Sequence, residues 1–188
     1  MDYNQILMRP SFVLPCTSPE EERRLLDQFS GKVLARYELG LVIGRFQPLH
    51  YGHLFLIKQA LTIANKIIIG IGSSNVVNHD NPFSLQHRQQ MLAAALEKEK
   101  EIAKRIIRIT PLPDFPDDDV WMSETIKRVG KVDATIGNND WVNGIFEKHG
   151  IPVVRTSFYF REIYEGKKIR SKLRYLTAIP LSKIHLRY

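Results

Sequence analysis

The feature that most limits what this chain can fold into is an alternation. Short apolar runs of strand length, each closed by Gly, Pro or a polar loop, are separated by segments whose apolar residues return at helical spacing. Leu39 to Gly44 is a mostly apolar run ending in Gly, and Tyr51 to Ala64 follows with Leu54, Ile57, Leu61 and Ala64 on one helical face. Lys66 to Gly72 is isoleucine-rich and closes on Gly72-Ser73-Ser74-Asn75. Ser84 is placed to cap a helix running to about Ala103, and Arg105 to Leu112 forms a strand that stops against Pro111 and Pro113. After a Pro- and Asp-rich loop, Pro113 to Asp119, come a short helix Val120 to Val129, a strand Val132 to Gly137, a helix Trp141 to Lys148 and a last strand Ile151 to Arg155. Strands that alternate with helices predict an α/β fold, a doubly wound parallel sheet covered on both faces, with right-handed crossovers.

Residues 1–38 stand outside this alternation and form a short N-terminal extension; the principal domain is 39–188. In the extension, Ser18-Pro19-Glu20-Glu21 supplies an N-cap, a first-turn proline and a capping-box glutamate, so a helix to Phe29 with Leu25, Leu26 and Phe29 on its apolar face is expected. At 188 residues the chain is sized for one core and an appended segment. Cys16 is the only cysteine, which excludes an internal disulfide and a cysteine-based metal site. The longest apolar run, Ile67 to Ile71, is far short of a membrane span, and Asp2 stands where a secretory leader would carry positive charge. A cytoplasmic protein with no membrane partner is expected. The net charge of +7 is not spread evenly: Arg155 to Tyr188 holds nine basic and two acidic residues, and the preceding segment balances. Such a basic end suits an anionic partner or is simply a solvated tail, and charge alone does not separate the two.

Chemistry concentrates in Gly44-Arg45-Phe46-Gln47-Pro48-Leu49-His50-Tyr51-Gly52-His53, where the first strand ends and the first helix begins. Open parallel sheets bind ligands at such strand ends. His50 and His53, three apart, share one face of the helix N-terminus, where free N–H groups and the helix dipole favour anions. With Arg45 beside them they make a phosphate cradle. Two surface histidines, or half a metal site, are the competing explanations of the pair taken alone.

The whole string resembles the signature of the nucleotidyltransferase superfamily, and its Gly-Arg-Phe-Gln-Pro form is similar to archaeal-type nicotinamide-nucleotide adenylyltransferases. Asn81-Pro82-Phe83 with Arg88, Val120-Trp121, Gly137-Asn138-Asn139 and Ile169-Arg170 agree with it. The resemblance implies a Rossmann-like nucleotidyltransferase fold and transfer of AMP from ATP to nicotinamide mononucleotide, giving NAD and pyrophosphate. It implies that His50, His53, Arg45 and Arg170 are catalytic, and that Gly44, Phe46, Gly52, Asn138, Lys167 and Ile169 complete the ATP site. Trp121 would stack on the nicotinamide ring, with Asn81, Arg88 and Asp118 around the mononucleotide. Mg2+ would be held mainly by ATP phosphates, with no protein metal site. No nucleic-acid partner is expected, and a homo-oligomer is. Alternatives are another acceptor (FMN, phosphopantetheine or nicotinate mononucleotide) or a non-catalytic nucleotide-binding regulator. The chain departs from the family where a Ser-Gly-Thr-x-Ile-Arg motif is usual: Glu165-Gly166-Lys167-Lys168-Ile169-Arg170 has lost both hydroxyls. The run Asp117-Asp118-Asp119 likewise stands where an Asn is common, and a carboxylate accepts from a carboxamide without donating to it.

Overall fold

The computed structural model of the protein describes residues 37–178, so the expected helix to Phe29 lies outside the described residues. Five strands form one parallel sheet in the order β3-β2-β1-β4-β5. They are β1 (Tyr37–Gly44), β2 (Ala64–Ile71), β3 (Ile106–Pro111), β4 (Ala134–Ile136) and β5 (Val153–Val154). The intervening helices are α1 (Tyr51–Ile63), α2 (Leu85–Glu97), the single turn α3 (Lys100–Ala103), α4 (Asp118–Val129), α5 (Asp140–Lys148) and α6 (Gly166–Ala178). Tyr37 and Glu38, assigned above to the extension, begin β1 instead. No helix among the described residues is long and apolar enough to cross a membrane.

Strand alternation explains the two-sided burial. In β1, Val42 faces a core built with α1 and α2, whereas its neighbour Leu41 faces a second core built with α4 and α5. In β2, Ile67, Ile69 and Ile71 go to the first core and Ile68 to the second. An isoleucine run with no polar face is therefore what this position requires. Close contact across the sheet also selects for glycine: a Cβ on Gly70 would come within 2.5 Å of Leu112 Cδ1.

The helix expected from Ser84 to about Ala103 is in fact two, α2 and α3. Ser84 caps it as anticipated, its Oγ accepting from the His87 N–H at 3.3 Å. The break falls at Glu99, whose φ of −118° and ψ of 59° are non-helical although nothing in the local sequence disfavours helix. Tertiary contacts override propensity there: Glu99 pairs with Lys58 of α1 at 3.1 Å, and Ile102 turns back onto the first core.

Arg88, on α2, is fully buried and joins the ends of β1 and β2 from beneath. Its Nη1 donates to the carbonyls of Arg45 (3.0 Å) and Gly72 (2.8 Å), its Nη2 to Ser73 (3.1 Å) and its Nε to Ser84 (3.4 Å). A cation with backbone acceptors on both loops fixes the mouth of the sheet. Arg88→Met should strand several buried carbonyls and lower stability by about 3 kcal/mol, a fall in Tm of roughly 10 °C. Thermal unfolding checks it; an unchanged Tm with a weakened mononucleotide would return Arg88 to the ligand.

Candidate active site

The turn from β1 into α1 is held from three directions. Phe46 has a φ of 51°, a left-handed conformation that costs a non-glycine residue about 1 kcal/mol or more, and its side chain, 1% exposed, is anchored in the first core. Gln47 is buried, and its amide makes a reciprocal pair with the Phe83 backbone, donating to the carbonyl and accepting from the N–H, both at 2.9 Å. Arg170, reaching from α6, donates to the Gln47 carbonyl at 2.8 Å. The string that carries the chemistry is thus tied to the loop before α2 and to the last described helix.

His50 is the N-cap residue of α1, extended at φ −150° and ψ 170°, and its side chain makes no capping bond. Its carbonyl accepts from the N–H groups of His53 (2.9 Å) and Leu54 (3.3 Å), which leaves the imidazole free to lie over that of His53, with ring centroids 3.8 Å apart. Nδ1 of each ring is buried with no hydrogen-bond partner. Burial pushes His50 down to about 4, and burial together with the neighbouring His50 pushes His53 well below its ordinary value. Both rings are neutral near pH 7. A Cβ on Gly52 would approach the His50 ring to 3.1 Å, so the glycine keeps the pair's geometry open.

Two cavities open at the carboxyl ends of the strands. The larger, about 630 Å³, is lined by His50, His53, Phe46, Gln47, Asn138, Lys167 and Arg170, with Asp80, Asp140, Phe158, Arg161, Glu165 and Gly166. The first turns of α1 and α6 carry no acidic residue, so their N-terminal potential is not cancelled from within the helix. Glu165, just before α6, is paired with Lys168 at 3.6 Å, which leaves Lys167 as the lysine on the cavity. The smaller cavity, about 400 Å³, is bounded by Trp121, Trp141, Phe115, Asp114, Ser73 and Gly72. Ile43, Gly44, Arg45 and Asn139 line both, so the end of β1 is the partition between them.

Several expected residues sit elsewhere. Arg88 lies under the floor as described, and Ile169 is buried in a third core cluster with Phe55, Tyr159 and Leu173. Asn81 is buried and reaches the cavities only through Arg45, whose Nη1 donates to its Oδ1 at 3.4 Å. Asp118 is exposed in the first turn of α4; the carboxylate on the smaller cavity is Asp114. Trp121 touches that cavity yet is only 2% exposed, packed against Phe146 and Trp141. Asn138 grips Thr156, its Oδ1 accepting from the backbone N–H at 2.8 Å and its Nδ2 donating to the hydroxyl at 3.0 Å. Asn139 is the N-cap of α5, accepting from Val142 N–H. Sequence reasoning missed the Gln47 clamp, Trp141, and Phe158 with Arg161 stacked over its ring at 4.3 Å. An aromatic at the start of the expected helix Trp141 to Lys148 was the one available signal for Trp141.

Residues 41–185 match the cytidylyltransferase-like family. Among individual proteins, the nicotinamide-nucleotide adenylyltransferase of Methanolobus tindarius is 38% identical over 132 residues, covering 70% of this chain and 74% of the relative. That of Thermococcus kodakarensis is 31% identical over 135 residues, 71% of each. The fold is similar to a bifunctional NMN adenylyltransferase/ADP ribose pyrophosphatase from Francisella tularensis, with a TM-score of 0.62 at 27% identity over 76% of this chain. A second structure of that protein, complexed with AMP and Mn ion, gives 0.59 at 29% identity over 72% of this chain. This chain spans only 43% and 41% of those two solved chains. The parallel sheet, the histidine pair at its strand end and these likenesses agree: the chain belongs to the cytidylyltransferase-like family, alongside the archaeal nicotinamide-nucleotide adenylyltransferases.

Proposed function

We propose that this protein is a nicotinamide-nucleotide adenylyltransferase, joining AMP from ATP to nicotinamide mononucleotide with release of pyrophosphate. The observation that carries this is the partition: a cationic, histidine-bearing cavity and a tryptophan-walled cavity meet at Gly44 and Arg45. A triphosphate suits the first and an aromatic ring the second. With the nucleotides on either side of one strand end, the mononucleotide phosphate faces the α-phosphorus of ATP. An oxygen of that phosphate forms the new P–O bond while the bond to the β-phosphate oxygen breaks, and pyrophosphate carries away the electron pair. The nucleophile is already anionic, so no proton needs to be removed. The protein's contribution is positioning and charge stabilisation.

In this proposal Arg45 contacts both phosphates, His50 and His53 the ATP phosphates, and Arg170 and Lys167 close the site from α6; all five line the larger cavity. Neutral imidazoles reach into the triphosphate site as hydrogen-bond donors without the repulsion that a stacked pair of imidazolium ions would suffer. Among the described residues no three His, Cys, Asp or Glu stand together as a metal site. A divalent cation, Mg2+ in this proposal, would arrive as part of the nucleotide substrate on its phosphate oxygens. A cytoplasmic, homo-oligomeric enzyme belongs to the same proposal.

Three outcomes test this. His50→Ala and His53→Ala should each lower turnover by about two orders of magnitude, with folding retained by circular dichroism; pyrophosphate release at the wild-type rate would remove the pair from the site. Acid should destabilise the unliganded protein in a defined window. The folded pKa of His50 lies below its unfolded value of 6.5, so its contribution is complete above that value and is lost as pH falls towards about 4. The drop in Tm across that window should be smaller in His50→Ala, and an equal drop would assign acid sensitivity elsewhere. Glu165→Ser should tighten ATP about threefold and Lys167→Ala loosen it by a similar factor, both effects shrinking in high salt. Titrations at two ionic strengths decide; salt-independent, wild-type affinities in both variants would take this segment off the triphosphate.

A further inference from the structure

We propose that the open groove at the amino ends of the strands, opposite the active site, is the docking surface for this chain's own N-terminal segment, with Leu25, Leu26 and Phe29 as the residues that fill it. The groove, about 750 Å³, lies where β1, β4 and β5 begin. Its floor is apolar and continuous with the second core: Val132, 6% exposed, belongs to that core, and the partly buried Ile126 and Ile151 pack against it while lining the groove. Tyr37 and the exposed Pro152 extend the apolar surface. Covering such side chains is favourable. The walls hold a fixed shape. The Asp133 carboxylate accepts from the N–H groups of Glu38 (3.1 Å) and Leu39 (2.9 Å), and the Pro152 carbonyl accepts from the Thr135 N–H at 2.9 Å. Gly130 and Gly150, at φ 76° and 71°, make the turns that lead towards β4 and β5. A preformed groove spares its occupant the cost of ordering it.

The chain itself supplies the occupant. Tyr37, the first described residue, is a wall of the groove, so the segment that precedes it starts there. Residues 1–40 lie outside the stretch matched to the family, which makes that segment an addition to the shared scaffold. Leu25, Leu26 and Phe29 are the narrow apolar face expected in it from the sequence, and such a face needs a partner. Seven residues separate Phe29 from Tyr37. Fully extended they reach about 25 Å, close to the length of the eight-residue β1, so only a taut tether would carry Phe29 to the active-site end. A slack one keeps it beside the groove. Over so short a tether the local concentration is on the order of millimolar, which a second copy in dilute solution does not match.

Two measurements on the full-length protein test this. With p-benzoylphenylalanine in place of Phe29, irradiation should join that position to residues 126–133 or 150–152 of the same chain, and the product should run as a monomer on a denaturing gel. In the triple variant Leu25→Ser, Leu26→Ser, Phe29→Ser, the backbone amides of 126–133 and 150–152 should exchange with deuterium about fivefold faster, while those of β2 keep their protection; circular dichroism confirms that the variant is folded. Cross-links to other parts of the chain, or none at all, overturn the proposal. Cross-links formed only between two chains also overturn it and assign the groove to a second copy. Groove amides whose exchange is unaltered by the triple substitution would show that these three residues do not cover it, and the proposal would fall.

Discussion

A central parallel strand with both faces covered has only its ends left for chemistry, and β1 is such a strand. Its side chains alternate between two separate cores, its edges pair with β2 and β4, and its backbone groups are committed to those neighbours. Everything polar that the protein displays at this point is therefore gathered where the chain leaves the sheet. The positive φ of Phe46, the amide clamp of Gln47 and the guanidinium of Arg88 all act on that short exit. They turn an ordinary strand-to-helix connection into a rigid rim shared by two cavities.

The histidine pair shows what such rigidity permits. Two imidazoles stacked at 3.8 Å with unpartnered Nδ1 atoms are not a low-energy arrangement for a free peptide. Buried polar groups without partners cost free energy, and the surrounding fold holds them in place regardless. Because the rings are already desolvated and oriented, little reorganisation remains when a phosphate arrives.

Much of this was legible in the amino-acid sequence, for identifiable reasons. The central strands were legible because burial on both faces writes apolar runs such as Ile67 to Ile71, and the cap at Ser84 because its side chain acts on the adjacent turn. The family resemblance, from the Gly44 to His53 string, placed the chain correctly. What escaped depends on partners distant in sequence. Arg88 meets an acceptor 43 residues away, the Gln47 amide meets Phe83, and the break at Glu99 answers to Lys58 on another helix. The relative exposure of Trp121 and Trp141 is equally non-local: each is an aromatic at the start of a helix, and only the packing of α4 against α5 determines which one is covered.

The shared rim also bears on what happens after the bond forms. In the proposed reaction, the two nucleotides would first occupy the cavities on either side of Gly44 and Arg45 as independent ligands. Afterwards they are one molecule straddling the partition, with an anchor in each cavity. Release of one end leaves it tethered by the other at a high effective concentration, so recapture competes with escape. The same division that aligns the reactants thus makes the dinucleotide a bivalent ligand of its own catalyst. If the chain carries out the proposed reaction, accumulated product would occupy it increasingly, a brake that needs no separate regulatory site.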